Sequence, residues 1–188
     1  MAAFLPAVLR GGVDIVQLRE KDAPREVILS GAREMRAICA DFNVPFIMND
    51  DPELAMAVNA DGVHVGQDDI SVSECRRIMG AEAIVGLSTH APSEFAVALR
   101  EPVTYRSAGP IVATPTKLGR EATGVSYAVE CQALSSDPVF VTGGVSPETL
   151  PGLLELGLRY FVVVRALSDA ADPEATARQM ATRIADVL

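Results

Sequence analysis

The residues best placed to do chemistry are two carboxylates at the ends of neighbouring apolar runs. Phe46-Ile47-Met48 ends in Asn49-Asp50-Asp51, and one helical segment later Gly62-Val63-His64-Val65 ends in Gly66-Gln67-Asp68-Asp69. If both runs are parallel strands joined by a helix, Asp50 and Asp69 arrive at the same edge of a sheet. Paired acids there suit a hard divalent cation, which takes oxygen ligands and keeps waters that a phosphate can displace. Acids at strand ends also cap helices, and Asp51 before Pro52 has the pattern of an N-cap followed by proline at the first helical position. Asp50 and Asp69 are therefore the metal-ligand candidates, with Asp51 and Asp68 as supporting residues.

Cationic groups gather where they would meet an anion at that edge. The only lysines are Lys21 and Lys117, each in a polar segment after a predicted strand, and the two histidines, His64 and His90, also sit at strand ends. Arg19, Lys21 and Lys117, with Asn49 and Ser88, could surround a diphosphate, the arginine giving bidentate bonds and the lysines acting as point charges. A second anion site is suggested by Gly143-Gly144 and Val164-Arg165, which follow the last two strands, where barrels often hold phosphate on backbone amides. The polar loop Thr114 to Thr123, with its hydroxyls, Lys117 and glycine, is long enough to close over a bound anion. Nucleophilic catalysis is less attractive, because neither histidine lies in a nucleophile elbow and no cysteine sits in an activating motif. The histidines could donate to a substrate or simply be bonded strand-end residues.

The elements that must position these groups alternate. A helix over 3–11 ends at Gly11-Gly12, and strands are expected at Val13–Leu18, Phe46–Met48, Gly62–Val65, Ala83–Leu87, Val103–Ala108, Val139–Thr142 and Tyr160–Val164. Helices are expected between them, over Arg25–Asp41, after Pro52, and over Ser73–Met79, Pro92–Arg100, Gly124–Leu134 and Pro147–Leu156, with a last one over Pro173–Val187. Repeating βα units imply a parallel sheet with helices outside, and polar residues concentrated after the strands match the active face of a (β/α)₈ TIM barrel. The initial helix then reads as a first barrel helix without its strand. A doubly wound sheet would also accept seven strands, but no Gly-x-Gly-x-x-Gly follows the first one.

Bulk properties narrow the class. The chain has 188 residues, of which 49% are hydrophobic and 22% charged, the balance of a single α/β domain. A net charge of −9 argues against nucleic acid or anionic membrane surfaces as partners. No run reaches the roughly 18 apolar residues of a membrane span, and the opening residues lack the pattern of a secretory signal, so a cytoplasmic location is expected. Cys39, Cys75 and Cys131 are widely spaced and lack metal-ligand spacing, which fits reduced, packed thiols.

Taken in order, Gln17-Leu18-Arg19-Glu20-Lys21, Asn49-Asp50, Asp61 to Asp69, Gly109-Pro110 with Thr114-Pro115-Thr116-Lys117, and Gly143-Gly144 resemble the thiamine-phosphate synthase family over nearly the whole chain. The resemblance implies a barrel enzyme that joins a hydroxymethylpyrimidine diphosphate to a thiazole phosphate and releases diphosphate with Mg²⁺. By position, Gln17, Leu18, Arg19, Glu20, Lys21, Asn49, Ser88 and Lys117 would hold the pyrimidine diphosphate, with Arg19, Lys21, Ser88 and Lys117 as the catalytic set. Asp50 and Asp69 would bind the metal, and Thr114, Pro115, Thr116, Gly144, Val164 and Arg165 would hold the thiazole phosphate. The implied chemistry is dissociative, and a homo-oligomer is compatible with it. The chain departs from the family pattern in lacking the first strand, in Arg165 where many members have serine, in Asp51 where many have arginine, and in Arg106 inside a strand. An unpaired charge buried at Arg106 would cost several kcal/mol. The related thiazole tautomerase is an alternative reading that the Gln17 to Lys21, Asp69 and Thr114 to Lys117 set disfavours, and the missing strand and Arg106 motivate another, a catalytically inactive ligand-binding relic.

Overall fold

The computed structural model describes residues 3–113 and 121–187. Seven parallel strands form one sheet in sequential order: β1 (Val16–Leu18), β2 (Phe46–Asn49), β3 (Gly62–Val65), β4 (Ile84–Thr89), β5 (Tyr105–Ala108), β6 (Val139–Val141) and β7 (Tyr160–Phe161). Every strand pairs with its successor, so the chain advances around the sheet without reversing direction, as a barrel does and a doubly wound sheet does not. Closure is the part of the barrel expectation that the described residues do not display. Among them, β1 and β7 each pair with a single neighbour, leaving a seam between the two outermost strands.

Helices connect the strands and cover the outside. They are α1 (Phe4–Arg10), α2 (Arg25–Asp41), α3 (Pro52–Ala57), α4 (Val72–Met79), α5 (Pro92–Ala98), α6 (Val125–Leu134), α7 (Leu150–Glu155), α8 (Arg165–Ser168) and α9 (Pro173–Ala185). Their starts follow local chemistry: Asp51, Ser71 and Asp172 accept the backbone N–H three residues on. Pro52, Pro92 and Pro173 occupy first-turn positions where a missing N–H costs nothing. Three apolar clusters lie between helices and sheet, built around Phe46 and Met48, around Val63 and Val85, and around Val139 and Leu150.

The expected edge strands are too long. β1 starts at Val16 rather than Val13, because Val16 already donates to the Pro45 carbonyl and Pro45 has no N–H with which to extend the ladder. β7 stops at Phe161 rather than Val164; Val162 still donates to Val141, but the chain then turns into α8, a short helix that periodicity over four residues could not announce.

Arg106 is buried but paired. Only 2% exposed on the outer side of β5, its Nε donates to the Ala98 carbonyl at 2.9 Å and its Nη1 to Asp137 Oδ2 at 2.6 Å. Longer bonds reach Ser135 Oγ and the Glu101 carbonyl, both at 3.4 Å. The guanidinium thus ties β5 to the end of α5 and to the α6–β6 turn, and the penalty foreseen for an unpaired charge does not arise.

Candidate active site

A cavity of about 1040 Å³ runs through the sheet interior, lined at the C-terminal strand ends by the candidate residues and elsewhere by Val13 and Ile15 ahead of β1 and by Met180 and Ile184 of α9. Side chains that point inward alternate along each strand, and this brings Gln17 and Arg19 from β1, Asn49 from β2, His64 from β3, and Tyr105 and Ser107 from β5 to one wall. The opposite wall carries Gly143, Gly144, Val164 and Arg165. Both glycines adopt positive φ, 81° and 77°. A Cβ on Gly143 would meet Pro110 Cβ at 2.6 Å and one on Gly144 would press on the Val112 side chain at 3.0 Å, so this turn demands glycine twice over.

Asp50 and Asp69 do converge. Asp50 has a left-handed backbone, φ 66°, an uncommon conformation for a residue other than glycine, held by its N–H donating to the His64 carbonyl at 2.8 Å. Its carboxylate meets Lys21 Nζ at 2.6 Å. Asp69 Oδ2 accepts the Gly66 N–H at 2.7 Å, which folds the turn after β3 back on itself. Burial is the main reason the Asp50 carboxyl is held above its ordinary pKa; Lys21 opposes this and the neighbouring Asp69 adds to it. Asp51, by contrast, is an N-cap, accepting from the Leu54 N–H at 2.8 Å and pairing with Arg25 at 2.9 Å.

The donor set fits a hard divalent cation. Among the described residues no cluster of three or more histidine, cysteine or acidic side chains is assembled to hold a metal. Two carboxylates from adjacent strand ends would leave most positions to water and phosphate oxygens, the pattern typical of Mg²⁺ rather than of a closed structural site. A cation held between Asp50 and Asp69 would relieve the repulsion between the two carboxylates.

Ser88, at the end of β4, is 4% exposed. Its Oγ is 2.8 Å from His64 Nε2 and receives a longer bond, 3.4 Å, from Ser107 Oγ. Gln67, which the sequence reading passed over, donates to the Ser88 carbonyl at 2.6 Å. His90 is the bonded strand-end residue that was one of its two readings, its Nδ1 lying against the Gly109 carbonyl. Of the Gln17 to Lys21 run, Gln17 and Arg19 line the cavity, while Lys21 reaches Asp50 beside it. Leu18 alternates to the other face and packs against the cluster under α1 and α2, and Glu20 accepts the N–H groups of Asp22 and Ala23, shaping its own turn. Thr114, Pro115, Thr116 and Lys117 lie outside the described residues. Tyr105 went unnoticed in the sequence; its only signal was an aromatic residue of inward parity in a strand that leads to Gly109-Pro110.

A family model for thiamine monophosphate synthase matches residues 1–167. The chain belongs to the thiamine monophosphate synthase family. Among its relatives in that family, the thiamine-phosphate synthase of Thermus thermophilus is 44% identical over 177 residues, which cover 94% of this chain and 85% of the relative. That of Streptomyces avermitilis is 41% identical over 186 residues, 98% of this chain and 86% of the relative. A solved structure of the thiamine phosphate pyrophosphorylase from Pyrococcus furiosus superposes with a TM-score of 0.89, covering 99% of this chain and 90% of that one, at 23% identity. At that identity the superposition speaks for the family fold alone. Among the described residues of this family member, no helix is long and apolar enough to cross a membrane.

Proposed function

We propose that this chain is a thiamine-phosphate synthase: a transferase that joins the pyrimidine diphosphate to the thiazole phosphate and releases diphosphate. Family membership supports the reaction class. The observation that carries the reading to this chain is the convergence of Asp50, Asp69 and Lys21 at the strand ends beside a cavity lined by Arg19 and Asn49. We read the fold as a (β/α)₈-type barrel with its seam between β7 and β1, which places these groups on the catalytic face.

In this reading Gln17, Arg19, Lys21 and Asn49 receive the pyrimidine diphosphate, with Ser88 and Lys117 completing the shell and Leu18 and Glu20 fixing the strand end. Gly144, Val164 and Arg165, with Thr114 to Thr116, receive the thiazole phosphate. Asp50 and Asp69 would hold Mg²⁺, which when bound supplies positive charge to the diphosphate oxygens. The bond from the pyrimidine methylene carbon to diphosphate breaks with its electron pair leaving on oxygen, and the thiazole nitrogen lone pair then forms the new C–N bond. What the protein would contribute is stabilisation of the departing charge: Arg19 and Lys21 would meet the negative charge as it develops, and no general base is required. The apolar part of the cavity, including Ile47 and Phe140, keeps water from the electron-poor carbon.

The test is to supply purified protein with both substrates and Mg²⁺ and to measure diphosphate release. Turnover that is lost in Asp50→Ala and Asp69→Ala is the expected result. No turnover, or variants indistinguishable from the parent, would sink the reading.

A further inference from the structure

A line of hydrogen bonds runs through the sheet interior to Ser88, and neither the metal pair nor the phosphate sites explain it. Tyr105 Oη lies 3.0 Å from His64 Nδ1, and His64 Nε2 lies 2.8 Å from Ser88 Oγ. The Tyr105 and His64 rings are stacked, 5.4 Å between centroids with a 23° interplanar angle, and Phe140 braces Tyr105 edge-on at 5.0 Å. Both residues are buried, His64 at 7% and Tyr105 at 6% exposure. The backbone makes room for the pair: a Cβ on Gly86 would collide with the Tyr105 ring and with His64 Nδ1. Gln17, on the cavity wall, bonds the far side of the Tyr105 hydroxyl.

With a neutral imidazole, these distances allow two polarities. In one, Ser88 donates to Nε2, and Nδ1–H donates to Tyr105, so Ser88 spends its only proton inward. In the other, Tyr105 donates to Nδ1, and Nε2–H donates to Ser88. Ser88 then accepts from both His64 and Ser107, and its own hydrogen is left for a ligand. A site framed by Arg19 and Lys21 receives an anion, and an anion needs donors. The second polarity is the one that serves it, and each bond in such a chain strengthens the next.

We propose that Tyr105 and His64 are positioning residues that lock His64 in its Nε2–H tautomer and thereby fix Ser88 as a donor to an oxygen of the diphosphate-bearing substrate. The inference rests on the function proposed above, and it assigns to two residues a role through Ser88 rather than contact with the reacting atoms.

The tautomer is read directly from the imidazole NMR spectrum of the ligand-free protein, the His64 signals being those lost in His64→Gln. The expected spectrum has a protonated Nε2 and an acceptor-type Nδ1. Calorimetry with inorganic diphosphate and Mg²⁺ supplies the second readout. Glutamine places an amide N–H near the position of Nε2 and asparagine does not, so His64→Gln should bind within about threefold of the parent and His64→Asn roughly tenfold more weakly. Tyr105→Phe keeps the ring and its packing while removing the donor to Nδ1. It should also bind roughly tenfold more weakly and should lose the single-tautomer spectrum, and it carries the test if either His64 variant fails to fold. A predominant Nδ1–H tautomer, or diphosphate binding by Tyr105→Phe equal to that of the parent, would overturn the proposal. Failure of the parent to release diphosphate from the two substrates would instead defeat the functional reading and leave the tautomer result standing.

Discussion

Two ion pairs of identical length, 2.6 Å, stand at different places on the same sheet and do different work. Arg106 and Asp137 sit on its outer side, where the guanidinium is fully buried and each of its three nitrogens meets an acceptor. Lys21 and Asp50 sit at the strand ends, where the lysine is exposed and the carboxylate faces a second acid that opposes its ionisation. A saturated charge is a rivet between elements. An incompletely compensated one, held in a left-handed backbone at a strand end, is a candidate for a functional group.

The sharpest way to break that contrast is to remove each acid in turn. Asp50→Ala or Asp69→Ala should lower diphosphate release by two to three orders of magnitude, about 10²–10³, while leaving the circular dichroism spectrum and melting behaviour close to the parent's. The opposite pattern is expected at the rivet. Asp137→Ala leaves Arg106 buried with only the neutral acceptors of Ala98, Glu101 and Ser135 and should cost about 3 kcal/mol in denaturant unfolding, the low end for a broken buried pair because water already reaches Asp137. Turnover per folded molecule should not change. Arg106→Met, which removes the charge itself, should cost less than Asp137→Ala; a larger cost would mean that the carbonyl bonds, not the ion pair, dominate.

A smaller effect sharpens the other side of the comparison. The folded protein holds the Asp50 proton more tightly than the unfolded chain does, so stability falls as pH rises from the ordinary carboxylate pKa through the raised one, and the loss persists above it. In metal-free buffer Asp50→Asn should therefore melt above the parent at about pH 7 and converge with it below about pH 3. Adding Mg²⁺ should raise the midpoint of the parent and not that of Asp50→Asn, since only a folded state that binds the ion gains from it. The smallest effect concerns the thiols. Burial pushes Cys39 and Cys131 up to about 11 and raises Cys75 as well, so none should react appreciably with a thiol reagent near neutral pH until the protein unfolds.

Much of the layout was legible from the chain alone because it is written in local terms. An apolar run of four residues such as Gly62–Val65, bounded by turns, is a buried strand wherever it sits, and Asp51-Pro52 or Asp172-Pro173 starts a helix whatever packs on it. The alternation of such units fixed a parallel sheet, and with it the meeting of Asp50 and Asp69, because consecutive βα units deliver their strand ends to one side. The resemblance to the family added the roles expected of Arg19, Asn49 and Ser88.

What only the tertiary structure decided was who partners whom. Arg106 read as a fault in a strand until Asp137, a turn residue beyond the next helix, arrived to meet it. Leu18 and Glu20 belong to the same short motif as Gln17 and Arg19, yet strand alternation and a local turn take their side chains elsewhere. The Tyr105–His64–Ser88 line needs three neighbouring strands in register and a glycine at 86 to let two rings stack. Composition and periodicity report on a residue and its near neighbours, whereas the compensation of a buried charge and the direction of a hydrogen bond depend on groups that only the assembled sheet and its covering helices bring within reach.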